Sequence, residues 1–223
     1  DPAHCGTPRG ESVSLGIHES QSRMWENIVG RSRSFWEYAF PLAQGVFPDA
    51  LKTVSLDAFS WAVNDVQRSF IRVEADEVTY GLHIMLRFEM ENALVERKLA
   101  VADVPAAWNA KMQEYLGIVP PNDALGCLQD VHWSYGDLGY FATYLLGSMF
   151  AAQLYKRALR DVPTIPAQIA RGEYADLLAW LRENVHTHGR KFTLDELARR
   201  VTGEPLHARA YVTYLKTKFG EIY

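Results

Sequence analysis

Nowhere in these 223 residues do apolar and polar side chains alternate for long enough to make a half-buried strand, while helical spacing recurs from end to end. In "EADEVTYGLHIMLRFEMENALVE", Val78, Leu82, Leu86 and the run Phe88 to Met90 share a broad apolar face, which predicts one long helix over 74–96. Further helices are expected over 12–29 and, after Gly30, on to the proline at 48. "SLDAFSWAVNDVQ" carries a start signal in Ser55, and "VPAAWNAKMQEYLG" is opened by Pro105 and closed by Gly117. A long buried helix follows over 137–161. Short ones are expected near 166–171, 174–185, 194–202 and 206–219, with Thr193, Glu196 and Gly203 marking both ends of the third. Residues 1–11 and 118–136 read as loops, the second ordered and holding a short helical turn. The fold class is therefore all-α, in one multi-helix body, with no repeat or linker inside 1–223.

Composition narrows the function classes. Hydrophobic residues make up 48% and charged residues 22%, the balance of an ordinary globular chain. A net charge of −4 leaves no electrostatic footprint for nucleic acid. No apolar run approaches the ~20 residues of a membrane span, and no leader-like segment opens the chain. Two distant cysteines, Cys5 and Cys127, argue against a disulfide scaffold and fit a reducing compartment, so the cytoplasm is the expected location.

Three stretches could carry chemistry. In "GIHESQSRMWENIVGRS", residues 16–32, His18, Glu19, Ser22, Arg23 and Glu26 fall on one helical face. They form either a solvated face with a Glu19–Arg23 pair or part of a metal site, and one carboxylate cannot hold a catalytic metal alone. In "IRVEAD", residues 71–76, Arg72 and Asp76 stand four apart. They read either as an ion pair at a helix start or as a guanidinium fork offered to a substrate carboxylate. "GCLQDVHWSYGDLGYF", residues 126–141, crowds Gln129, Asp130, His132, Trp133, Tyr135 and Tyr140 into a loop and the helix start after it. That cluster is either a pair of oxyanion donors or a buried aromatic corner. The histidines show no H-E-x-x-H spacing, His83 reads as a packed helix residue, and the His186/His188 pair as a surface feature.

"HESQSRMWENIVGRS", "IRVEAD" and "GCLQDVHWSYG", in this order, resemble the carboxypeptidase Taq family of zinc metallocarboxypeptidases. "GTPRGESVSLG", "TYGLHIMLRFEME", "GYFATYLLG" and "HTHGRKFTLDELARRVTGEPL" extend the likeness over essentially all 223 residues. Family enzymes are much longer, and the chain looks like their C-terminal portion. Their H-E-x-x-H helix would fall just before Asp1.

The resemblance implies a zincin-like helical metallopeptidase with a substrate groove, which removes C-terminal residues from peptides with metal-activated water. It implies Glu19 as the third zinc ligand, with one zinc per full-length subunit, and His18, Arg23 and Asp76 as groups behind the ligand and substrate residues. It also implies Arg72, Gln129 and Tyr135 as substrate contacts. The segment from His132 to Phe141 is further similar to the His…Tyr-Phe run of angiotensin-converting enzyme, which makes His132 and Tyr140 the expected oxyanion stabilisers. Ala142 stands where the family commonly has proline, which affects the aim of the helix turn beside Tyr140. Peptides with a free C-terminus are the expected partners, and exposed apolar surface or family habit makes a homodimer expected. With two ligands absent, the 223 residues alone are expected to be inactive. A non-catalytic peptide-binding or structural domain is the alternative.

Overall fold

The computed structural model describes residues 2–223, and among them every regular element is helical and none is a strand. In chain order the α-helices are α1 (Leu15–Arg23), α2 (Arg33–Val46), α3 (Pro48–Leu51), α4 (Leu56–Val63), α5 (Tyr80–Val95), α6 (Val104–Leu116), α7 (His132–Tyr135), α8 (Ala142–Asp161), α9 (Ile165–Ile169), α10 (Ala175–Asn184), α11 (Leu194–Thr202) and α12 (Arg209–Gly220). Several ends are made by the expected chemistry. Ser55 Oγ accepts from the Ala58 amide at 3.1 Å, and Thr193 and Glu196 form a reciprocal capping box at the start of α11. Gly117 and Gly203 stop α6 and α11 in the left-handed conformation, at φ 68° and 82°.

Three boundaries differ from the sequence pattern. The helix expected over 12–29 is α-helical only to Arg23 and then widens into a π turn, Met24–Val29, closed by the Gly30 amide on the Trp25 carbonyl. The helix expected from 74 begins at Tyr80. Asp76 is the cause: Oδ1 takes the amides of Val78 and Thr79, and Oδ2 takes the Gln67 amide and the Thr79 hydroxyl. A side chain that satisfies the first orphan N–H groups ends the helix where it stands. The helix expected from 137 begins at Ala142, because Gly136 and Gly139 hold positive φ.

The chain divides into two compact units, one formed by residues up to Val63 together with Leu146–Tyr223, the other by Asn64–Leu145. In the first, the buried core includes Met24, Ile28, Phe40, Phe150, Leu154, Ile165, Leu177, Leu181 and Leu197. In the second, Leu86 and Met90 of α5 pack on Trp108, Met112 and Leu116 of α6 with Cys127. A smaller cluster joins Ala75, Tyr80, Ile84 and Phe141. The second unit also leaves apolar side chains on its surface, with Leu128 and Tyr135 73% and 77% exposed and Val131 and Leu138 beside them in sequence.

Asp76→Ala removes four hydrogen bonds from a buried position. It is expected to lower the unfolding free energy by about 2–3 kcal/mol in a urea titration at pH 7, while Asp57→Ala, at an exposed position, changes it little.

Candidate active site

Glu19 lies in the middle of α1, started by Ser14, whose hydroxyl accepts the Ile17 amide. Its side chain is only 15% exposed. Oε2 accepts from Ser22 Oγ at 3.0 Å and stands 4.0 Å from Arg23 Nε, while Oε1 takes no hydrogen bond from the described residues. Arg23 is held in turn by Glu26 and Asn27, at 3.4 and 3.5 Å. The result is a sheltered carboxylate with one oxygen restrained and the other open, which fits a single oxygen ligand to a metal. Glu26, on the π turn, is half exposed, and His18 is exposed.

The second unit holds a buried charge cluster. Asp130 lies between two arginines. Arg72 donates from Nε and Nη2 to Oδ1, at 2.9 and 2.7 Å. Arg87, with no exposed surface, donates from Nε to Oδ2 at 2.7 Å. Arg72 Nη1 also donates to Tyr80 Oη, and Arg87 Nη1 to the His83 carbonyl. Gln129 closes the cluster: Oε1 accepts from the Arg72 amide and from Arg87 Nη2, and Nε2 donates to the carbonyls of Phe70, Leu125 and Gly126. Aromatic faces cover the guanidinium groups, Trp108 at 4.6 Å from Arg87 and Phe141 at 5.4 Å from Arg72. Burial works against the Asp130 carboxylate, but the two arginines overcome it and hold its pKa below the usual value. Burial draws the Arg87 guanidinium down to about 10, still cationic at neutral pH.

His132 opens α7 beside this cluster. Its ring stacks on Phe141 and Tyr140 at 4.4 and 5.2 Å, and Nε2 meets Tyr144 Oη at 3.2 Å. Burial, reinforced by the positive charge of Arg72, lowers its pKa and keeps the ring neutral near pH 7. In the tautomer where Tyr144 donates to Nε2, the proton sits on Nδ1, a buried atom without a hydrogen-bond partner. Trp133 is fixed by its indole N–H on Glu91 Oε1 at 2.9 Å.

Glu19, His18 and Arg23 therefore belong to one unit, and Arg72, Asp76, Gln129, His132, Tyr135 and Tyr140 to the other. Within the second, the structure brings Arg72, Gln129, His132 and Tyr140 into one corner. Arg72's fork is turned onto Asp130, and the Gln129 amide is engaged on both sides. Tyr135 is open to solvent. Of the two readings of Arg72 and Asp76, the ion pair does not form: Asp76 takes backbone amides, and the Arg72 fork meets the carboxylate of Asp130. Sequence reasoning missed Arg87, Glu91 and Tyr144. A lone arginine between Leu86 and Phe88 was the available signal, since a guanidinium on a buried helix face requires an acceptor.

Comparison with known proteins assigns the class. Residues 1–219 match the carboxypeptidase Taq (M32) metallopeptidase family, and the chain belongs to it. It is 49% identical over 220 residues to thermostable carboxypeptidase 1 of Thermus thermophilus, covering 99% of this chain and 43% of that protein. It is 46% identical to carboxypeptidase 1 of Bacillus subtilis, covering 100% of this chain and 44% of that one. The M32 carboxypeptidase structure from Deinococcus radiodurans R1 superposes with a TM-score of 0.96 at 47% identity, over 100% of this chain and 45% of that one. The chain thus spans less than half the length of these relatives. Among the described residues no group of three His, Cys, Asp or Glu could hold a metal ion, so these residues alone do not complete a metal site. No helix is long and apolar enough to cross a membrane.

Two expected outcomes follow from the buried charges. Asp130→Ala leaves Arg72 and Arg87 without their carboxylate and should cost about 3–5 kcal/mol of stability in chemical denaturation. His83 is fully buried, neither ring nitrogen has a hydrogen-bond partner among the described residues, and burial with the charges of Arg87 and Arg72 lowers its pKa to about 4. Its folded pKa lies below the unfolded value, so the unfolded chain binds a proton that the folded chain refuses. Stability is then lost as pH falls from about 6.5 toward about 4. His83→Leu should flatten that part of the stability–pH curve, and an unchanged slope would show that His83 does not supply it.

Proposed function

We propose that this chain forms part of a zinc metallocarboxypeptidase that removes C-terminal residues from peptides. The observation that carries the reading is Glu19, a sheltered carboxylate with one oxygen held by Ser22 and Arg23 and the other open. On this reading Glu19 is one metal ligand, and the remaining ligands and the general base come from polypeptide outside these residues. A metal held there would supply polarisation of the scissile carbonyl and would lower the pKa of the attacking water. Arg23 aims Glu19, and exposed His18 stands behind the site.

His132 is the proposed hydrogen-bond donor to the oxyanion. Its lowered pKa keeps it neutral, and Tyr144 fixes its ring. Tyr140, stacked on that ring, is the second donor. Tyr135 is the proposed substrate contact. Arg72 acts one layer back, holding Asp130 and therefore the turn that carries His132, and Gln129 braces Arg72 and Arg87. Asp76 supports the same corner from the start of α5. The exposed apolar residues of 128–138 favour a homodimer, and the two separated free cysteines favour the cytoplasm.

In the complete enzyme, His132→Gln and Tyr140→Phe are expected to lower kcat on a blocked dipeptide by about 100-fold each, with a smaller change in KM. Full activity in both variants would remove the assignment. The isolated 223 residues should show no turnover beyond a Glu19→Gln control, and genuine turnover would contradict the shared-site reading.

A further inference from the structure

Glycine in the interior of a 20-residue helix weakens it, so its presence asks for a reason. Gly147 lies in α8 and is not among the residues with positive φ, so the reason is not backbone conformation. The reason is space. A Cβ built at 147 would stand 2.6 Å from Glu19 Cβ, 2.8 Å from the Glu19 carbonyl carbon and 3.0 Å from the Ser20 nitrogen. Carbon atoms in ordinary contact are about 3.5 Å or more apart. At this point α1 rests on α8 backbone to backbone, and the residue in contact is Glu19 itself.

The surroundings agree. Ser20 is fully buried and folds its hydroxyl back onto the Ile17 carbonyl at 2.6 Å, and Ser148, next to Gly147, is also buried. Gly16, one turn earlier on α1, is different. A Cβ there would meet Leu194 Cδ2 at 3.4 Å and Leu146 Cβ at 3.6 Å, contacts that alanine satisfies with little movement.

We propose that Gly147 is a positioning residue for Glu19: the missing side chain lets α1 seat directly on α8 and so sets where the Glu19 carboxylate stands. The inference rests on the reading of Glu19 as a metal ligand. A metal–carboxylate bond tolerates an error of about 0.2 Å, whereas alanine at 147 requires α1 to retreat by about an ångström.

The test compares Gly147→Ala, Gly16→Ala and Glu19→Gln in the complete enzyme. One readout is the zinc dissociation constant measured by competition with a chromophoric chelator. The other is the Glu19 position in crystal structures of the variants. Gly147→Ala is expected to weaken zinc binding at least 10-fold and to move the Glu19 Cα by about 1 Å, while Gly16→Ala stays within about twofold of the parent. Unchanged affinity in Gly147→Ala, or an equal loss in Gly16→Ala, overturns the inference while leaving Glu19 as a ligand if Glu19→Gln abolishes binding. A Gly147→Ala protein that does not fold also overturns it, because the glycine is then a requirement of the fold. Unchanged affinity in Glu19→Gln defeats the ligand reading instead.

Discussion

A single carboxylate facing two buried guanidinium groups organises the unit formed by Asn64–Leu145. Asp130 is reached from one side by Arg72, in the 3-10 turn before α5, and from the other by Arg87, in the middle of α5. Three charges out of water are costly, and attraction alone does not settle that cost unless the leftover donors are also satisfied. Here they are met by Tyr80, the His83 carbonyl and Gln129, with Trp108 and Phe141 laid against the cations. The arrangement keeps a surplus positive charge indoors. That surplus contributes to the neutral state of both His83 and His132. Because His132 and Trp133 follow Asp130 almost directly in the chain, the same anchor fixes the direction in which the aromatic corner points.

Much of the fold could be read from local signals. The capping box at Thr193, the left-handed glycines after α6 and α11, and Ser55 each act within a few residues, so their meaning survives without tertiary context. The start of α5 could not be read this way. Helical periodicity ran through residues 74–79, yet Asp76 used its oxygens on local amides, a competition that propensity does not express. The buried face of α5 was legible in part. Leu86 and Met90 are buried as the pattern requires, but the buried positions also include Tyr80, His83, Ile84, Arg87 and Glu91, three of them polar residues at helical spacing, while Phe88 is 47% exposed. A search for hydrophobic residues passes over a stripe in which Arg87 and Glu91 are engaged by partners far along the chain, Asp130 and Gln129 for the first and Trp133 for the second.

The candidate site was legible to a different degree. Glu19 and His132 stand out in sequence because polar residues crowd apolar neighbours, and each occupies a sheltered position in its own unit. The role of Arg72 was hidden, since its acceptor lies 58 positions away. Gly147 was hidden more completely. A glycine in a helix announces only that something is close, and the identity of its neighbour emerges from the crossing of α1 and α8.

The π turn at Met24–Val29 has a consequence for how this helix can change over evolutionary time. A bulge of that kind accommodates about one residue more than an α-helical turn needs. Deleting a residue there would restore ordinary winding without breaking the rod, whereas a deletion elsewhere in α1 would pull Ser14 or Glu19 out of register. The segment that follows Glu19 is thus a built-in slack point, where length can vary while the first two turns remain in phase.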